Sequence, residues 1–129
     1  MIVIDASVIT DWLVRGRNLS IGLIEGGGER FAAPHLLDAE VCHALRRHVL
    51  TRQSTAERAR AALRVLMASP IRRFPHTRLL PRALELRDNA TAYDALYLAL
   101  AETLDAPLLT RDAALARIPG VRARVEVMR

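Results

Sequence analysis

Ile2-Val3-Ile4-Asp5-Ala6-Ser7, at the head of the 129-residue chain, is the stretch that decides the fold. A short apolar run with no polar alternation suits a strand buried on both faces, the habit of parallel sheets. Asp5-Ala6-Ser7 ends the run, and Val8, Ile9, Trp12 and Leu13 then recur at helical spacing. The same alternation continues outward. Phe31-Ala32-Ala33 closed by Pro34, Ile71 to Phe74 between two prolines, Leu108-Leu109-Thr110 and Arg124 to Met128 read as further strands. Helical patterns fall between them, at residues 19–25 (stopped by Gly26-Gly27-Gly28), 37–52, 54–69, 80–87 and 91–104. Ser54-Thr55-Ala56-Glu57 has capping-box spacing, and Pro81 sits where a first turn tolerates it. The segment 91–104 is apolar on nearly every side, which predicts a central buried helix. Strands alternating with helices predict an α/β fold with a mainly parallel sheet of about five strands. No linker or repeat divides the chain, so residues 1–129 are expected to form one domain.

Composition narrows the chemistry. Hydrophobic types make up 51% of the residues but aromatics only 4%, so the core must be aliphatic. The single cysteine, Cys42, excludes an intramolecular disulfide and a multi-cysteine zinc site. All nineteen basic residues are arginine. Without lysine there is no GK[ST] phosphate loop, no Schiff base and no catalytic ammonium. Neither a secretory signal nor a run of about 20 apolar residues is evident, which predicts a cytoplasmic protein without a membrane span. The net charge of +5 is spread over both halves, so a polyanion site must be a patch on the fold. Arg15 with Arg17, Arg46 with Arg47, and Arg72 with Arg73 are candidates for gripping a phosphate backbone, or are solvated and ion-paired surface.

In an open parallel sheet, reactive groups gather beyond the carboxyl ends of the strands. Asp5 follows the first strand and Asp112 lies just past Thr110. Two more acids occupy positions where a helix should be apolar: Glu40, in the stripe Leu37, Glu40, Val41, Ala44, and Asp94, at the start of the buried helix. Each has a plain alternative. Asp5 and Asp112 can cap the helices that follow them, Asp94 can form a box with Thr91, and Glu40 can meet His43 or face water. Together they argue for more. Four carboxylates directed at one crevice repel unless arginines or metal ions stand between them, and oxygen-only ligation favours Mg²⁺ or Mn²⁺ over zinc. His43 and His48 lack the spacing of a zinc protease and read as surface or interface residues. Cys42 and His43 point about 100° apart on a helix, which argues against a thiol–imidazole pair.

At these residues the chain resembles a known family. Val3-Ile4-Asp5-Ala6-Ser7, Pro34-His35-Leu36-Leu37-Asp38-Ala39-Glu40-Val41, Thr91-Ala92-Tyr93-Asp94-Ala95-Leu96-Tyr97-Leu98-Ala99-Leu100-Ala101-Glu102 and Leu108-Leu109-Thr110-Arg111-Asp112 are similar to PIN-domain ribonucleases, above all the VapC-type toxins of type II toxin–antitoxin systems. The resemblance implies a three-layer α/β/α fold and a catalytic, metal-binding quartet of Asp5, Glu40, Asp94 and Asp112, with Ser7 and Thr110 supporting it. It further implies a Mg²⁺- or Mn²⁺-dependent endoribonuclease that cuts structured RNA such as tRNA or rRNA by metal-activated water. Also implied are neutralisation by a VapB-type antitoxin, bound with help from the helices within residues 37–66, and a homodimer. The scarcity of aromatics points to shape and phosphate recognition. Two other classes compete. A receiver- or phosphatase-type phosphoryl-transfer domain would need a site lysine and an Asp-x-Asp start, and residue 7 is serine. A catalytically silent PIN-fold module that binds RNA or antitoxin is the alternative that the intact acids oppose.

Overall fold

The protein, described by a computed structural model over residues 1–16 and 30–128, is built on five parallel strands. They are β1 (Ile2–Ile4), β2 (Phe31–Pro34), β3 (Arg72–Phe74), β4 (Leu108–Thr110) and β5 (Val125–Val127), in the spatial order β3-β2-β1-β4-β5. The sheet is thus wholly parallel, where the sequence predicted only a mainly parallel one. β1 is central, pairing Ile2 with Phe31 on one side and Ile4 with Leu109 on the other. Val3 and Ile4 point to opposite faces, and both are fully buried. Helices must therefore cover the sheet on both sides.

Five α-helices appear among the described residues: α1 (Ala6–Val14), α2 (Leu36–Leu50), α3 (Ala56–Ala68), α4 (Leu80–Glu85) and α5 (Ala92–Leu104). α1, α2 and α3 pack together, while α5 lies across β1, β2 and β4 with α4 against it, giving the expected α/β/α layers. Leu37, Val41 and Leu45 form the buried stripe of α2, one residue per turn. Every residue from Ala95 to Ala101 is buried, as the all-apolar pattern requires of a central helix.

Several boundaries differ from the sequence reading. Thr55, not Ser54, caps α3: its extended backbone lets its side chain accept from the Arg58 N–H at 3.2 Å. Pro34 belongs to β2, where its missing N–H falls at the strand end. β3 starts at Arg72 and β5 spans only Val125–Val127. The 80–87 helix stops at Glu85, and a 3-10 turn, Thr77–Leu79, leads into it. The predicted helix at 19–25, its Gly26-Gly27-Gly28 stop and Arg17 lie outside the described residues.

One arginine changes role. Arg73 is no phosphate grip; it forks onto Asp38 at 2.7 and 3.0 Å and donates to the carbonyls of Ile71 and Leu66, tying β3 to the first turn of α2. Arg72 lies over the Phe74 ring, 4.8 Å from its centroid. Arg73→Met is expected to cost about 1 kcal/mol, below the range for charged hydrogen bonds and at the top of that for exposed ion pairs, because Asp38 is half exposed. Urea denaturation would measure it, and an unchanged midpoint would refute the tie.

Candidate active site

The chain runs from β1 outward to β2 and β3, then returns to β4 on the other side of β1. The order therefore reverses between β1 and β4, and in such sheets the crevice beyond the strand ends at that point is where ligands bind. Asp5 stands there as N-cap of α1 and Asp112 as N-cap of a 3-10 turn, Ala113–Arg117. Both therefore cap, as the plain alternative held, and both also face the crevice end of adjacent strands.

Asp5 is buried and held from three sides. One carboxylate oxygen accepts from the Ser7 hydroxyl at 2.5 Å and the Val8 N–H at 3.2 Å; the other accepts from the Thr110 hydroxyl at 2.5 Å. The two hydroxyls pass the order on. Thr110 Oγ1 accepts from the Asp112 N–H at 3.0 Å, and Ser7 Oγ from the Arg111 N–H at 3.1 Å. The end of β4 is thereby laced to the end of β1, with Asp5 as the knot.

Glu40 and Asp94 come from opposite layers. Glu40 lies in the second turn of α2, Asp94 in the first turn of α5, where its backbone N–H donates to the capping Thr91 hydroxyl at 3.1 Å. Glu40 does not meet His43. It accepts at 2.7 Å from the hydroxyl of Tyr97, a residue with only 2% of its surface exposed. Burial pushes the Glu40 carboxyl up; the Tyr97 bond opposes this, and the charges of Asp94 and Asp5 add to it. Burial likewise raises Asp94, together with the charges of Asp112 and Asp5, against a hydrogen bond to Thr91. Burial and the bond to Glu40 raise the Tyr97 hydroxyl.

The four acids thus act on one another electrostatically, and among the described residues the charges acting on Glu40 and Asp94 are negative. Among the described residues no arginine pairs with them. Arg111 turns to Asp11, 2.6 Å away, which also takes Arg15 at 2.9 Å. An uncompensated, all-oxygen cluster suits a hard divalent cation in charge and donor chemistry. Among the described residues, no group of three or more His, Cys, Asp or Glu side chains is arranged to hold a metal ion as it stands.

Beside this cluster a groove of about 700 Å³ runs between α1 and α2, sharing Ser7 and Glu40 with it. His43, Arg47 and His48 line it, one helical face continuing from Glu40. Cys42 is exposed on a neighbouring face, with no tie to His43. Sequence reasoning missed Tyr97 and this groove. The available signal for Tyr97 was its i, i+3 spacing from Asp94 on an otherwise aliphatic helix.

A PIN-domain family model matches residues 2–121. The chain is 46% identical over 130 residues to Ribonuclease VapC1 of Mycobacterium tuberculosis, covering 98% of this chain and 97% of that protein. Among solved structures it is similar to PAE2754 from Pyrobaculum aerophilum, with 25% identity, a TM-score of 0.67, and coverage of 98% and 83% of the two chains. It also has the fold found in VapBC2 from Rickettsia felis, bound there to a DNA fragment of its promoter, with a TM-score of 0.69, 16% identity and 98% of both chains covered.

Proposed function

From the premise that this chain belongs to the PIN-domain family, and within it to the VapC ribonucleases, we propose that it is a Mg²⁺- or Mn²⁺-dependent endoribonuclease, the toxin of a toxin–antitoxin pair. Structured RNA, a tRNA or rRNA, is its substrate, and a VapB-type antitoxin its neutralising partner. It works in the cytoplasm as a homodimer, with residues 1–129 as one domain; among the described residues no helix is long and apolar enough to cross a membrane. The observation that carries this reading is the four-acid cluster at the β1/β4 switch point, whose charge no ion pair among the described residues offsets.

Asp5, Glu40, Asp94 and Asp112 would hold the ion. Bound there, it supplies neutralisation of the scissile phosphate and activation of a water for in-line attack. The remaining work falls to the chain. Ser7, Thr110 and the Val8 N–H fix both oxygens of Asp5, so that carboxylate needs little reorganisation to act. Tyr97 holds Glu40 turned into the crevice from the core side. The backbone bond from Asp112 to Thr110 sets where the fourth acid leaves β4.

The test is cleavage of total cellular RNA by the purified protein with Mg²⁺ or Mn²⁺, beside an EDTA control and Asp5→Ala. Discrete cuts lost in both controls are expected; cuts that survive EDTA would refute the metal-dependent reading. Absence of cleavage with Mn²⁺ binding intact would favour the silent module instead. Tyr97→Phe keeps the ring and removes the bond to Glu40. It is expected to lower kcat roughly tenfold, the worth of one charge-assisted hydrogen bond, with the melting temperature little changed. In a Glu40→Gln background the same change should add little, and full additivity of the two losses would separate Tyr97 from Glu40.

A further inference from the structure

We propose that the groove between α1 and α2 is a nucleoside subsite, holding the base next to the phosphate that is cut. The inference rests on the ribonuclease reading and deepens it. Three features of the groove point to this ligand. Thr10, at its wall, is only 8% exposed, yet its hydroxyl has no hydrogen-bond partner. A helical threonine ordinarily bonds back to the carbonyl one turn earlier. Here donor and acceptor both go unmet, which is costly; the oxygen is covered as the groove stands, so a ligand would complete it through a turn about the Thr10 side-chain bond.

Room and a stacking surface come next. Ala6 and Ala39 line the groove beside Thr10, and side chains this small leave space for a planar ring. Tyr93 also lines it, 60% exposed and one residue before Asp94, so its ring lies in solvent beside the acid cluster. An exposed aromatic beside a cleavage centre is the platform on which an unstacked base can rest.

Charge supplies the third feature. Arg47, seven residues along α2 from Glu40, is about 10 Å further down the helix axis and exposed to the groove. It makes no ion pair among the described residues, whereas Asp11, the groove's other acid beside Glu40, is already engaged by Arg111 and Arg15. Arg47 is therefore free to take the phosphate of a nucleotide whose base lies between Tyr93 and Thr10. A base held this way would make the cut depend on the identity of its neighbour.

Two measurements test this on the whole chain. The first is titration of the four ribonucleoside 5′-monophosphates by NMR in EDTA, which needs no turnover, for wild type, Thr10→Val and Tyr93→Ala. The second maps cut sites in total RNA with Mn²⁺. One nucleotide is expected to bind preferentially to wild type, with affinity falling about tenfold in Tyr93→Ala, and the base preference beside the cut should relax in both variants. The melting temperature should be unchanged in Tyr93→Ala, whose site is exposed, and should rise in ligand-free Thr10→Val, where an isosteric methyl replaces an unsatisfied buried hydroxyl. Equal nucleotide binding and unchanged cut-site preference in all three proteins overturn the subsite, and give the groove to a partner's peptide chain instead. Preferential binding that depends on Thr10, in a wild type that cuts nothing, supports the subsite and refutes the ribonuclease reading alone.

Discussion

Asp94→Asn is expected to abolish RNA cleavage while making the metal-free protein more stable. The substitution is isosteric and leaves the cap of α5 in place, because Thr91 accepts from the backbone N–H of residue 94, and an amide oxygen can take over the carboxylate's own bond to Thr91. What changes is charge. Wild-type Asp94 is raised by burial and by the charges of Asp112 and Asp5, so its ionised form is disfavoured where it stands. An amide removes that repulsion and the cost of burying a charge together. The expected gain is about 1 kcal/mol, or ~3–5 °C in melting temperature in EDTA. Activity should fall by two to three orders of magnitude, the scale for losing one preorganised electrostatic group. Saturating Mn²⁺ should reverse the order of stability, because an ion that binds the folded wild type more tightly stabilises it more. Calorimetry with and without Mn²⁺ reads both signs. A metal-free variant less stable than wild type would show that these carboxylates are not in conflict.

The four acids were legible because each violated a local pattern: a charge ending an apolar strand, or a charge in a helical stripe that should be apolar. Their mutual geometry was not, since strand order is a tertiary fact; only the pairing of β1 with β4 brings Asp5 and Asp112 to one crevice. Strands were readable as apolar runs between breakers. Their ends were not, because Arg72 and Pro34 can lie in or out of a ladder according to their partners. The α3 cap slipped by one residue because Ser54 and Thr55 offer the same hydroxyl, and backbone geometry chose between them. Tyr97 lies on the helix predicted to be buried, and buried it is; its hydroxyl reaches an acid 57 positions away, a relation that no helical or strand period encodes. Arg73 misled for the same reason, since Asp38 lies 35 positions earlier.

A second large effect is expected far from the acids. Arg82, on α4, forks onto Glu102 of α5 at 2.9 and 3.1 Å, reaches Glu85 at 2.9 Å, and donates to the Gly120 carbonyl at 2.7 Å. One guanidinium therefore joins two helices to the segment before β5. Glu102 has 8% of its side chain exposed, and its other partners are the Arg122 N–H at 2.8 Å and the exposed Arg122 side chain at 3.7 Å. Arg82→Ala leaves this carboxylate only its Arg122 contacts, and the expected cost is about 2–3 kcal/mol, a large share of the roughly 5–15 kcal/mol that holds a domain together. Arg82→Lys keeps the charge but not the fork, and should recover only part of it. The pH dependence separates this account from simple loss of packing. Burial alone would raise the Glu102 carboxyl, but the Arg82 hydrogen bonds, the Arg122 N–H and both positive charges outweigh it and hold it below its ordinary value of 4.5. A carboxyl lowered by folding stabilises the protein in full above that ordinary value, and the contribution drains away as pH falls through the lowered one. In Arg82→Ala only the Arg122 N–H and side chain are left to oppose burial, so the variant should have less of this contribution to lose on acidification. The stability gap should therefore be widest near pH 7 and should narrow on acidification below about pH 4.5. Cleavage per folded molecule should be unchanged, because Glu102 lies eight residues along α5 from Asp94, about 12 Å down the helix axis. A gap of the same size at pH 7 and pH 3.5 would mean that Arg82 stabilises by packing its stem, and that its charge contributes nothing.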